Sequence, residues 1–403
     1  MIFNTFYYFF VFLLPASLLF RRASDTLRPW ILALSGAIFF IYFSLTTVGG
    51  ALGAWCLLVI LWQSLCCLYL CKKNSPACIL VIVQSVLFLC AFKYLNFFGG
   101  VLFGKPQNSP WYWEDAFLPL GISFFTFEFI HYAADVYSGK TEQPKLGSFL
   151  AFILFFPTMV AGPIKRIQDF LPKLENPSRD VALDWQRGIT RILVGLVKKF
   201  AVADLLTALT NHLNASDIEQ VQHSGTLLVW IFAYGIKIYF DFSAYSDIAI
   251  GSARLFGIKV PENFDAPYAQ TNIALFWRHW HISLSKWLTE YVYFPLGGSR
   301  VAAGRVYVNL CIVMLVSGIW HGAGINFLVW GAWHALLLCV HRLWTLNVVP
   351  YFKDALETGG PAMRTAVQIA SWAATFVSVN LGWAFFAMDF ATALRFFQRL
   401  FLG

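Results

Sequence analysis

Residues 29–71, PWILALSGAIFFIYFSLTTVGGALGAWCLLVILWQSLCCLYLC, contain no charged side chain. One crossing of a bilayer's hydrocarbon layer takes about 20 apolar residues. The run therefore holds two crossings, turning at Gly49-Gly50. Arg21, Arg22 and Arg28 precede it, and Lys72 and Lys73 follow it. Short cytoplasmic loops collect basic residues, which puts both ends of the run inside the cell and the N-terminus outside. Uncharged runs at 74–92, 146–164, 306–341 and 365–388 repeat the pattern.

The composition agrees. Of 403 residues, 59% are hydrophobic and 12% charged, with a mean hydropathy of +0.64. Soluble domains carry about 25% charged residues. The alternation of a β-barrel strand is absent. The expected fold class is all-α: a polytopic membrane protein with about 11 transmembrane helices plus re-entrant helices. It is expected to form a single integral membrane domain over residues 1–403, located as a multi-pass protein in the cell (inner, cytoplasmic) membrane. Residues 2–20 lack the basic start and small-residue cleavage site of a signal peptide, so they read as a retained first helix. The net charge of +8 sits in short loops and reflects topology and anionic lipid, not a nucleic-acid partner. The eight cysteines form no CxxC pair. They read as small core residues, with neither disulfides nor a metal site.

Polar residues interrupt the apolar runs at few places. A loop with Trp111, Trp113, Glu114 and Asp115 leads to a helix over about 118–136. There Glu128, His131 and Asp135 share one face, either a polar cytoplasmic helix end or a water-facing strip. Residues 146–164 have basic residues on both flanks: Lys140 and Lys145 before, Lys165, Arg166 and Lys173 after. A segment that enters and leaves on the cytoplasmic side fits this. Its Pro157, Gly162 and Pro163 break a helix, which membranes tolerate only where backbone is buried in protein or lines a wet cavity. A crossing at 187–210 follows, then an external loop at 211–224 without Lys or Arg. The return through 227–239 reaches Asp241 and Asp247, and Lys237 stands four residues before Asp241, placed for an ion pair.

The densest polar stretch is Phe276–Arg300, FWRHWHISLSKWLTEYVYFPLGGSR. It carries Arg278, His279, His281, Lys286 and Glu290, and basic flanks again suggest a re-entrant or oblique helix. On one continuous helix Trp277, His281 and Ser285 would stack at spacing four, and Gly297-Gly298 would end the segment. Some twenty residues on comes Trp320-His321-Gly322, then helix to about Val340 with Trp330, Trp333 and His334.

Two histidines suffice for acyl transfer without a metal. One imidazole takes the proton of an acceptor hydroxyl as general base. The other, or a nearby donor, steadies the carbonyl oxygen as charge builds there. No GxSxG elbow, P-loop or H-E-x-x-H is present, and nothing marks Ser283, Ser285 or Ser317 as nucleophiles.

Several segments together resemble the membrane-bound O-acyltransferases, in particular the branch of the bacterial alginate O-acetyltransferase membrane subunit. They are Leu118–Phe124, Val160–Ile164, Tyr239–Asp247, Pro261–Phe264, Phe276–Arg300 and Trp320–Gly322, in the family's order. The resemblance implies a helical vessel with a central tunnel, and His321 and His281 as catalytic residues. It implies Trp277, Arg278, Ser285, Trp320, Asp241, Tyr245, Asp247 and Asn263 as substrate-binding or tunnel-lining residues. No cofactor is expected to stay bound. Acetyl-CoA or an acyl carrier thioester serves as cytoplasmic donor. The acceptor is a cell-envelope or secreted polysaccharide, reached through an SGNH-type or other periplasmic partner. The related D-alanyl transfer to teichoic acid is an alternative. The sequence departs from the pattern at His279 and Ala244, and an alginate-type C-terminal helix or two are expected to be missing. Two readings of other classes are a small-solute transporter and a subunit that only docks a periplasmic enzyme.

Overall fold

A computed structural model describes residues 5–47, 49–113 and 118–402; Glu114 and Asp115 lie outside them. Among the described residues all regular structure is helical. Among the same residues seven helices are long and apolar enough to cross a membrane: Arg28–Thr46, Gly50–Leu70, Pro76–Lys93, Ser224–Leu255, Ala303–His321, Ile325–Asn347 and Gly360–Ala387. Their outer faces leave Leu58, Trp62, Leu80 and Leu87 between 62% and 68% exposed. So many bare apolar side chains call for lipid as the solvent. The chain is a multi-pass helical membrane protein.

Other apolar runs are broken or too short to meet that length, so these seven neither reach nor exclude the expected eleven. The first is a π-helical run, Tyr7–Leu13, followed by α1 (Leu14–Arg22). Residues 146–164, expected as a re-entrant segment broken by Pro157, Gly162 and Pro163, form α7 (Leu146–Ile153) before irregular backbone. The crossing expected over 187–210 is α9 (Val181–Val197) followed by a π-helical stretch, Lys198–Ala203.

The chain divides into two compact units. The first comprises Met1–Val197 and Ala244–Glu262. After α1 come α2 (Arg28–Thr47) and α3 (Gly50–Leu70). They are separated near Gly49, whose φ of 90° suits a residue without Cβ. α4 (Pro76–Lys93), α5 (Leu95–Phe103), α6 (Ile122–Tyr137), α7, α8 (Ile167–Glu175) and α9 complete it. Its core is aromatic, with Phe149, Phe152, Phe155, Phe156, Phe170 and Phe256 all buried. Cys56, Cys66, Cys67, Cys71 and Cys78 pack in the same core. Asp184 on α9 holds two guanidinium groups, those of Arg21 and Arg254, each at 2.8 Å.

The polar face of α6 is neither a solvated helix end nor a water-facing strip. Glu128, His131 and Asp135 are all buried. Glu128 pairs with the Lys165 ammonium, which lies over the rings of Phe152 (4.6 Å), Phe155 and Phe170. The Gln168 amide donates to Asp135, and the backbone N–H of Ile167 donates to His131 Nε2 at 3.4 Å. These groups therefore latch the end of the irregular segment and the start of α8 to α6. A buried charge left alone costs several kcal/mol, so each group needs its partner at this place.

The second unit comprises Lys198–Ser243 and Asn263–Gly403. It holds α10 (Thr207–Thr210), α11 (Ala215–Gln220) and the first part of α12 (Ser224–Leu255). α13 (Ile273–His279), α14 (Ile282–Leu288), α15 (Ala303–His321), α16 (Ile325–Asn347), α17 (Val349–Thr358), α18 (Gly360–Ala387) and α19 (Phe390–Phe401) follow. α15 and α16 form a tight hairpin. A Cβ at Gly331 would stand 2.5 Å from the Met314 carbonyl oxygen, and one at Gly318 would stand 3.2 Å from the Gly331 Cα. Small residues let helices approach this closely in membranes. The expected Lys237–Asp241 pair does not form: Lys237 donates to Thr210 Oγ1 at 3.0 Å, while Asp241 meets Lys199 at 2.8 Å. Lys199 thus takes the place beside Asp241 that Lys237 was expected to fill.

Candidate active site

The stretch Phe276–Arg300 is not one helix. α13 starts at Asn272, whose side chain accepts the Leu275 N–H at 2.8 Å, and stops at Trp280, which is extended. His281 then takes left-handed backbone, φ 43° and ψ 55°. The cause lies outside the stretch. The carbonyl of Asn263 accepts the Ile282 N–H at 2.9 Å, and its side-chain oxygen accepts the Ser283 hydroxyl at 2.6 Å. The Asp265 N–H bonds the His279 carbonyl at 3.1 Å. These bonds replace the helical ones that would have joined α13 to α14. Trp277, His281 and Ser285 therefore do not stack as on a continuous helix. A non-glycine residue held in left-handed backbone costs on the order of 1–3 kcal/mol, and such residues gather at functional sites. The two glycines that close the stretch, Gly297 and Gly298, both have positive φ, as a chain reversal there requires.

His281 is 1% exposed. Its ring meets Phe242 edge-on at 4.7 Å and Trp320 at 6.0 Å. Neither of its ring nitrogens has a hydrogen-bond partner among the described residues. Trp320 and His321 close α15, their rings 4.7 Å apart. His321 is half-buried and lies 5.0 Å from both Trp330 and Phe386. The two histidines thus contact the same indole, that of Trp320, from segments some forty residues apart.

The remaining expected residues fall at several places. Trp277 lies beside this group, 5.8 Å from Trp330. Ser285 donates to the Trp280 carbonyl at 3.2 Å and so bridges the break between α13 and α14. Asn263 is the buried clamp of that break. Arg278 is exposed. Asp241 is half-buried in a cluster with Lys199, which also holds Asp204 at 2.8 Å. Tyr245 and Asp247 belong to the first unit. There Tyr245 sits in the apolar core, and Asp247 accepts from Arg191, which also bonds Glu262. The residues not foreseen as part of the site are Phe242, Trp330, His334 and Phe386. The four-residue spacing of Trp330 and His334 was the signal available for two of them.

One buried and one half-buried imidazole thus sit among aromatic rings, the buried one on irregular backbone, and ionisable groups in a helical membrane protein are candidates for function. The sequence model of the MBOAT, membrane-bound O-acyltransferase family matches residues 38–379, and the chain belongs to that family. It is 38% identical over 332 residues to the "Probable alginate O-acetylase AlgI" of Pseudomonas aeruginosa, covering 80% of this chain and 60% of that protein. It is 35% identical over 357 residues to the "Peptidoglycan O-acetyltransferase" of Helicobacter pylori, covering 79% and 63%. It is 32% identical over 253 residues to the "Teichoic acid D-alanyltransferase" of Streptococcus thermophilus, covering 60% of each. The chain spans about three fifths of the length of these curated relatives.

Proposed function

We propose that this chain is a membrane O-acyltransferase of the cell (inner) membrane. It moves an acyl group, most simply acetyl, from a cytoplasmic thioester toward hydroxyls of a cell-envelope or secreted polysaccharide. Acetyl-CoA or an acyl carrier thioester is the donor, and an SGNH-type or other periplasmic protein is the partner. The observation that carries this reading is the meeting of His281 and His321 at the Trp320 ring in a chain of the O-acyltransferase family.

In this mechanism His321 accepts the proton of the acceptor hydroxyl. The freed oxygen attacks the thioester carbonyl, whose oxygen gains charge and takes a hydrogen bond from His281. The C–S bond breaks, the thiolate leaves, and the proton on His321 passes to it. No metal or bound cofactor takes part in these steps. Trp277, Trp320 and Ser285 line the path of the acyl chain, while Asn263 holds the backbone that presents His281. In this proposal Asp241 and Arg278 lie along the route of the substrates within the second unit.

The test is ester content of surface polymer in a deletion strain complemented with wild type, His321→Ala or His281→Ala. Wild type alone restores alkali-labile acetate if the reading holds. Restoration by His321→Ala at normal protein level sinks it. The similarity to a teichoic acid D-alanyltransferase favours one second reading, D-alanyl transfer, for which D-alanine replaces acetate in the same assay.

A further inference from the structure

The rings beside His321 enclose a third histidine. His334 sits one turn after Trp330 on α16 and is fully buried. Its ring meets Trp277 at 5.0 Å, Trp330 at 4.9 Å and Trp383 at 6.4 Å. Gly382 of α18 closes another side, where a Cβ would stand 3.2 Å from His334 Nε2. Neither nitrogen of His334 has a hydrogen-bond partner among the described residues, and the same holds for Nε1 of Trp277 and of Trp330. Four buried polar nitrogens in one ring cluster thus want partners. Leaving one such group unsatisfied costs about 1–3 kcal/mol. Leucine at 334 would fill the space without that cost. Native proteins retain such groups where a ligand, a water or a catalytic role answers them.

We propose that His334 is a third working histidine of the His281–His321 site, binding a neutral hydrogen-bonding group of the reacting molecules or the water between them. The partner is neutral because the rings around His334 are indoles, which donate an N–H and carry no charge to offset another. Indole N–H groups only donate and an imidazole both donates and accepts, so a hydroxyl, an amide or water satisfies all of them. Trp330 touches His321 on one side and His334 on the other, at 5.0 and 4.9 Å, which ties the two imidazoles to one indole. This assignment rests on the acyl-transfer reading.

Full-length His334→Leu, His334→Gln and His321→Ala are expressed in the deletion strain. Two quantities are read: polymer ester content, and the thermal midpoint of the detergent-solubilised protein. His334→Leu is expected to lower ester content roughly tenfold or more, the worth of a hydrogen bond made to the reacting groups. Its midpoint is expected to stay or rise. His334→Gln, which still donates and accepts, is expected to keep a measurable share of activity. Wild-type ester content in His334→Leu overturns the assignment. So does a loss of ester in which both 334 variants also melt earlier, because His334 is then packing only. Ester restored by His321→Ala overturns the acyl-transfer reading itself, and this assignment falls with it.

Discussion

The side-chain oxygen of Asn263 accepts both the hydroxyl and the backbone N–H of Ser283, at 2.6 and 3.3 Å. One asparagine therefore fixes the start of α14, and with it the left-handed turn that carries His281. Asn263→Ala removes the acceptor that both Ser283 donors use. It is expected to destabilise the protein by about 1–3 kcal/mol. Acyl transfer is expected to fall further than that loss of folded protein explains, because the His281 ring is no longer held. Ester content normalised to folded protein, measured by fluorescence-detected gel filtration, decides this. An unchanged normalised value removes Asn263 from the positioning of His281.

The Lys165–Glu128 pair gives a second expectation. Lys165→Met alone strands a buried carboxylate, and such a break costs about 3–5 kcal/mol. The double variant Glu128→Gln, Lys165→Met removes both charges and keeps the volumes. It is expected to regain most of that loss, because replacing a buried pair with apolar or neutral groups is often neutral. Thermal midpoints of the three proteins in one detergent test this. A double variant no better than the single one shows that the pair itself, with its phenylalanine cage, carries the stability.

At the α15–α16 crossing the space is already filled by backbone. Gly331→Ala sets a Cβ against the Met314 carbonyl and is expected to cost about 1–3 kcal/mol, as overpacking does. Gly304→Ala on the same hairpin meets nothing within 4 Å and is the control, expected to be neutral or slightly stabilising. Yields of monodisperse protein for the two variants separate crossing distance from glycine content.

Asp389 caps α19. Its carboxylate accepts the Thr392 hydroxyl at 2.6 Å and the Thr392 N–H at 3.0 Å. The hydroxyl first, then the backbone N–H, holds its pKa below the usual carboxylate value. The charged form is thus favoured in the folded helix. The contribution is complete above the ordinary aspartate range, near pH 4, and is lost as pH falls through the lowered value. Hydrogen exchange at Ala391–Ala393 is expected to quicken only in that acid range. Asp389→Ala is expected to quicken it at neutral pH, with a loss of about 1 kcal/mol typical of a helix cap. Exchange that does not depend on residue 389 removes the cap from the account.

Much of this was readable in the chain. The uncharged runs announced the membrane helices, and Gly49 and Gly297-Gly298 marked turns found where expected. His281 and His321 stood out because imidazoles are rare company for so much leucine and phenylalanine. What could not be read depended on distant partners. The break at Trp280 and His281 is imposed by Asn263, and periodicity within 276–300 gives no hint of it. Glu128 looked as if it faced water because its partner Lys165 lies 37 residues on. His334 sat in an unbroken apolar run, where a single imidazole at helical spacing looks like ordinary core. Residues 146–164 were legible, because Pro157, Gly162 and Pro163 announce a broken helix, and α7 stops at Ile153.

The latch between Lys165 and Glu128 also bears on how the protein is made. A charged residue at the centre of a helix disfavours entry into the bilayer by about 2.5–3.5 kcal/mol, and α6 carries Glu128, Asp135 and His131. Its counter-charge is synthesised 37 residues later. At roughly 5–20 residues per second the ribosome delivers Lys165 seconds after Glu128. During that interval α6 is an indifferent candidate for the membrane interior. The burial of α6 is therefore expected to be complete only once the segment that neutralises Glu128 has been made.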